Sequence, residues 1–169
     1  MTLQSIRILK YLSVVFLAGT LWQTLPATAA DVEKQGTAYV VYLSGDLDFR
    51  EVVDHLKTEI LAANWEITDV QDIDVGLTQY GMKTQNKVIS ACKSQLLAQA
   101  IKDDPYISLA VPCRFTAFRD EAKKQIVVGF QDPAAEAKAL NIGQYRAAEQ
   151  ATDELKRILK TIAEFFKER

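Results

Sequence analysis

Two runs of strand-forming residues late in the chain, 108–119 and 125–131, are separated only by the charged stretch 120–124. A connection that short cannot carry a crossover, so the two runs must pair antiparallel. Any fold open to this chain is built around that hairpin. Upstream, residues 38–43 (Ala-Tyr-Val-Val-Tyr-Leu) are β-branched and aromatic and read as a first strand. Residues 65–73 alternate loosely as a second, and 87–92 form a third. Residues 75–83, with Gly76 and Gly81, read as a loop or a short helical turn.

Helical periodicity falls between and after the strands. Asp48 followed by Glu51 matches a capping box, and Phe49, Val52, Val53, Leu56 and Ile60 then recur on one helical face, with Asn64 as a stop. A short helix over 94–102, with Leu97, Ala98 and Ile101 inward, ends before Pro105. Asp132-Pro133 places an N-cap ahead of a first-turn proline. A long amphipathic helix from about Tyr145 carries Ala151, Leu155, Ile158, Leu159, Ile162 and Phe166 as its buried stripe. The order is strand, helix, four strands interrupted by one short helix, then a long helix. It predicts an α+β fold, mainly antiparallel, with helices packed on one face of the sheet.

The first thirty residues read as a leader rather than as part of that domain. Arg7 and Lys10 precede an uncharged, mostly apolar stretch, and Pro26-Ala27-Thr28-Ala29-Ala30 supplies small residues for cleavage near Ala29 or Ala30. The alternative, an uncleaved anchor, is opposed by an apolar stretch shorter than the ~20 residues a span needs. The expectation is a signal peptide over 1–30, one domain over 31–169, a periplasmic or secreted address, and no stable membrane anchor after cleavage. With 20 basic and 22 acidic residues, no basic excess points to a nucleic-acid partner.

Few residues carry chemistry. Cys113 lies in Val111-Pro112-Cys113-Arg114, where strand alternation groups Leu109, Val111, Cys113 and Phe115 on one face and turns Arg114 away. Pro112 marks an edge, a bulge or a cis bond. A bulge would re-aim Cys113; otherwise it is a small buried apolar residue. Cys92 ends a strand just before a helix, where the helix terminus and Lys93 favour thiolate. A Cys92–Cys113 disulfide is the simplest pairing, and a redox or metal-binding pair is the sharper one. Two thiols and one histidine cannot complete a four-coordinate zinc site. His55 falls away from its helix's apolar stripe and reads as a solvated residue rather than a catalytic base. Asp69, Asp72 and Asp74 lack the glycine and terminal glutamate of a calcium loop and read as a solvated strand edge. No catalytic residue or metal set is assigned, and no motif names a cofactor.

From Phe49 to Pro133 the chain resembles the family named domain of unknown function 302. The matching features run in order: Phe49-x-x-Val52, the aromatic Trp65 before Ile67-x-x-Val70, Asp72-Ile73, Leu77 and Gly81, and Cys92 leading a short helix. Asp104-Pro105, Leu109-Ala110-Val111-Pro112-Cys113-Arg114 and Asp132-Pro133 complete the set. Lys93-Ser94 stands where the family usually shows Asn-Pro, and Trp65-Glu66 where Gly-Phe is common. The resemblance implies a single TATA-binding-protein-like unit, often dimeric, with two recurrent cysteine positions matched by Cys92 and Cys113. It carries no established activity. The expected function is a non-enzymatic ligand-binding or protein-interaction module, a homodimer with a possible small apolar ligand. The alternative is a thiol-based redox or metal/haem-handling protein using Cys92 and Cys113, with Pro112, Arg114 and Lys93 as site neighbours.

Overall fold

The computed structural model describes residues 31–143 and 145–167. The leader expected over 1–30 lies outside the described residues. Among the described residues no helix is long and apolar enough to cross a membrane.

The strands are β1 (Glu33–Gln35), β2 (Ala38–Ser44), β3 (Glu66–Asp72), β4 (Asn86–Cys92), β5 (Cys113–Asp120) and β6 (Gln125–Gln131). They form one sheet in the spatial order β1-β2-β6-β5-β4-β3, with every neighbouring pair antiparallel. The helices are α1 (Phe49–Ala62), α2 (Ile73–Thr78), α3 (Ser94–Asp103), α4 (Pro133–Ala139) and α5 (Arg146–Lys167), with a 3-10 turn over Pro105–Ala110. The α+β architecture read from the sequence is the one observed. Its hairpin is β5–β6, with Asp120 paired to Gln125 at the closed end.

One face of the sheet holds the core. Val41 and Leu43 from β2, Ile126, Val128 and Phe130 from β6, Phe115 and Ala117 from β5, and Ile89 from β4 are all buried there. The stripes predicted for α1 and α5 cover them, and every residue named in those stripes is buried. Phe115 meets Phe130 edge-on at 5.7 Å between ring centroids, an arrangement that aromatic quadrupoles favour.

Local chemistry sets the ends of α1. Asp48 accepts the Arg50 N–H at 2.8 Å, covering one orphan amide of the first turn. At the other end Asn64 adopts φ 59°, the left-handed conformation that asparagine tolerates. The Asn64 N–H bonds Leu61 O at 3.0 Å and the Trp65 N–H bonds Ile60 O at 3.1 Å. This paired closure reverses the chain and delivers Trp65 inward at the start of β3. Asp132 caps α4 as expected, accepting the Ala134 N–H at 3.1 Å, and is itself held by the Thr152 hydroxyl of α5 at 2.6 Å.

Three expectations need correction. Residues 108–119 do not form one strand. Asp104 accepts the Tyr106 N–H at 3.0 Å and Pro105 begins a 3-10 turn, so Ser108 to Ala110 coil despite their β-forming neighbours. Val111–Pro112 is a cis peptide, β5 starts at Cys113, and Leu109 stands 72% exposed off the strand face assigned to it. In α3 the buried residue is Leu96, with Leu97 and Ala100 half-buried, whereas Ala98 and Ile101 are exposed, so the packed face of this helix runs through Leu96 and Ala100. The sheet also has an edge strand the sequence did not announce: β1 is Glu-Lys-Gln, with no apolar pattern, and pairs with β2 through its backbone, the Tyr42 hydroxyl donating to Gln35 Oε1 at 3.4 Å and Lys34 lying over the Tyr39 ring.

Gly129 sits mid-strand in β6, where an added Cβ would stand 2.7 Å from both Tyr39 O and Val40 Cγ1. Gly129→Ala is expected to cost about 1–3 kcal/mol through overpacking, read as a lower urea midpoint with an unchanged slope.

Candidate functional site

Two surfaces stand out. The first is an apolar slot at the end of the sheet where β4 finishes and β5 begins. Its walls come from Leu96, Leu97 and Ala100 of α3, Ile107 and Ala110 of the 3-10 turn, and Ala147, Ala148 and Ala151 of α5, with Trp65 and Cys113 alongside. Alanines on facing helices leave space that larger side chains would fill. The cavity volume is about 50 Å³, roughly a third of an engineered ~150 Å³ apolar cavity that binds benzene. It suits one short alkyl group and not a whole cofactor of ordinary size.

The lip of the slot is polar and tightly tied. Trp65 Nε1–H donates to Glu154 Oε2 at 3.0 Å, and Lys93 Nζ donates to the same oxygen at 2.7 Å and to Ala63 O at 3.1 Å. Burial pushes the Glu154 carboxyl up, but hydrogen bonds from Lys93, Gln150 and Trp65 outweigh it and hold it below the usual glutamate value. Lys93 is thus committed to Glu154 rather than to its neighbouring thiol.

That commitment overturns the expectation for Cys92. Its thiol is raised, first by burial and then by the charge of Glu66, against a smaller opposite pull from the Lys93 N–H. Cys113 is pushed up to about 12 by burial, with Glu136 and Cys92 adding to it and Arg114 opposing. Both cysteines are free and both line the slot. In the β4–β5 register Ala91 pairs with Cys113, so Cys92 lies one step beyond that pair, level with Pro112. Arg114 points away to the opposite face as expected, 3.6 Å from Glu136.

The second surface is the sheet face opposite the helices. Antiparallel strands with one wet face normally alternate apolar with polar. Here β6 is buried along its whole middle, Ile126 to Phe130, on both faces. Val40 pairs with Gly129, Phe118 with Val127, and Val88 with Thr116, so these side chains adjoin on the helix-free side. They line a groove of about 480 Å³ rimmed by Gln71, Arg114 and Gln131. Sequence reasoning named Arg114 but missed this apolar patch, since its members sit at one position in each of four strands.

The remaining candidates are packing positions. His55 is not a solvated residue: its ring stacks on Phe165 at 3.8 Å and meets Phe166 edge-on at 5.6 Å. Its Nε2 is buried without a hydrogen-bond partner, with Glu59 Oε1 3.6 Å away. It packs by the last turns of α5, about 20 Å along the helix from the slot. Asp72 and Asp74 share the single Lys87 ammonium at 2.8 and 3.0 Å, while Asp69 is exposed. Among the described residues no group of three His, Cys, Asp or Glu gathers to hold a metal ion.

The depressed Glu154 carboxyl stabilises the fold above the usual glutamate range, and that contribution is lost as pH falls through its lowered value. Glu154→Gln leaves Lys93 without its carboxylate partner, holding only Ala63 O. It is expected to cost about 1–3 kcal/mol near neutrality and to flatten the loss of stability on acidification, both read from urea unfolding between pH 3 and 7.

No curated protein matches the chain in sequence. The fold is similar to the crystal structure of an uncharacterized conserved protein DUF302 from Bacillus stearothermophilus, with a TM-score of 0.64 and 15% identity over 78% of this chain and 99% of that one. The family model for domain of unknown function DUF302 matches residues 39–162. That span takes in β3 to β6, all of β2 but Ala38, and all the residues of the slot, and the chain belongs to this family.

Proposed function

We propose that this is an exported, non-enzymatic interaction module that works as a homodimer through the helix-free face of its sheet. The observation that carries the reading is an apolar patch, half-buried Val88 and Phe118 beside buried Val40 and Val127, on a face that no described helix covers. Five paired strands, β2 through β3, span a face of roughly 24 by 23 Å at the usual strand spacing and rise. Side-chain relief brings that projected area near the ~800 Å² per partner of a stable interface. The face is also self-complementary in kind, apolar at its middle and polar at its rim, as an isologous two-fold contact requires. The slot beneath Trp65 is a separate subsite, suited to the alkyl end of a small apolar ligand. The raised thiols of Cys92 and Cys113 speak against a resting nucleophilic thiolate, and so against thiol exchange as the main activity.

Light scattering on the purified protein is expected to give a dimer, and Phe118→Lys a monomer that keeps its far-UV spectrum. A wild-type monomer at all accessible concentrations would refute the dimer reading. For the slot, short-chain alcohols and fatty acids are expected to shift the emission of Trp65, and Ala148→Leu or Ala100→Leu to remove the shift by filling the space.

A further inference from the structure

The walls of the apolar slot are not anchored alike. The sheet end supplies Trp65 and Cys113, α3 supplies Leu96, and α5 supplies Ala151. Each of these belongs to the main core or packs against it. From α4 only Pro133 lines the slot, and the preceding Asp132 is bonded to the Thr152 hydroxyl of α5 at 2.6 Å. The 3-10 turn Pro105–Ala110 differs from all of them. Among the described residues, none from this turn belongs to the main core. Its one buried side chain, Ile107, joins a separate small cluster with Ala137, Ile142 and Ala148. Two of those three partners are alanines, which offer little surface to hold it. The hydrogen bonds of the turn run back to Asp104: the Tyr106 N–H donates to its carboxylate at 3.0 Å and the Ile107 N–H to its carbonyl at 3.2 Å.

Residues three apart in a 3-10 helix lie on one side of it. Ile107 and Ala110 therefore make the inner side and line the slot, while Tyr106 and Leu109 make an outer side, 69% and 72% exposed. That outer side adds nothing that fixes the turn in place. Asp104 and Val111, both extended, join the turn to α3 and to the segment leading into β5. Such single residues are where a hinge absorbs rotation. We infer that the 3-10 turn is a gate over the slot, hinged at Asp104 and Val111 and latched by Ile107. This rests on the reading of the slot as an alkyl subsite. Closed, the gate leaves about 50 Å³. Swung outward, it withdraws Ile107 and Ala110 together, because they share one side of the turn. A ligand enters while the turn is out and is enclosed when Ile107 returns to its cluster. One side chain forms the latch, so the packing of that side chain sets the fraction of time the gate is open.

The test reads the gate first without ligand. Methyl relaxation dispersion on the purified protein is expected to show one common exchange process at Ile107 and Ala110, on the microsecond-to-millisecond scale of lid motions, and none at Ile126 and Val128 of β6. Ile107→Val shortens the latch by one methyl group. It is expected to raise the open population, read at Ala110, by about two- to tenfold. Leu109→Ser, on the outer side, is expected to leave that population unchanged. Flat profiles at Ile107 and Ala110 would overturn the gate, as would an open population that Ile107→Val does not alter. Ligand entry then separates the gate from the slot. 1-Hexanol is expected to shift Trp65 emission, with an association rate about two- to tenfold higher in Ile107→Val than in the wild type. A shift whose association rate is the same in both proteins would overturn the gate and leave the slot standing. No shift in either protein would overturn the slot reading and the gate together.

Discussion

β6 is apolar on both sides, and that single strand organises the molecule. Its inner residues, Ile126, Val128 and Phe130, are fully or almost fully buried on the core face with α5. Its outer residue Val127 is only 4% exposed although no described helix lies over it. Strand neighbours do part of that shielding. Val40 crowds Gly129 so closely that a methyl group there would collide with it. The strand sits third in a six-strand sheet, paired along its length to β2 and β5, so its backbone groups are satisfied on both edges. Everything else is placed relative to it.

The two surfaces singled out here follow from how the rest of the chain meets that strand. On the helix side, α5 packs on β2 and β6 and meets α1, α3 and α4. Its first turns carry Ala147, Ala148 and Ala151, side chains too small to reach α3 and the 3-10 turn opposite, and the slot is the space left. The lip stays in place because Trp65, Lys93 and Glu154 satisfy one another. A partly buried ion pair of this kind stabilises only when its remaining donors are also paired, and Ala63 O and Gln150 complete the set. On the opposite side, no described helix covers the sheet, and the apolar patch there is left without a partner helix among the described residues.

The fate of the two thiols illustrates how local rules yield to surroundings. By sequence, Cys92 stands just before a helix and next to a lysine, two influences that lower a thiol's pKa. In the folded protein the lysine reaches the other way, to Glu154 on a helix sixty residues distant in the chain, and burial decides the outcome. His55 departs from its local pattern for a similar reason. Its position on the α1 wheel is outside the stripe that meets the sheet, but the end of α5 wraps over it and supplies Phe165 and Phe166.

Periodicity and capping in the sequence were enough to define α1, β6, the α4 cap and the α5 stripe, because each depends on residues close together in the chain. They also gave the antiparallel hairpin, since a five-residue charged loop permits nothing else, and with it the α+β class and the family resemblance. Tertiary structure alone decided β1, whose polar residues pair only because β2 offers an open edge. It decided that Asp104 and Pro105 override the β-forming run after them. It also decided which lysine pairs with which carboxylate, and that single positions on four strands add up to one apolar face. Those features are set by contacts between residues far apart in sequence, and no local pattern encodes them.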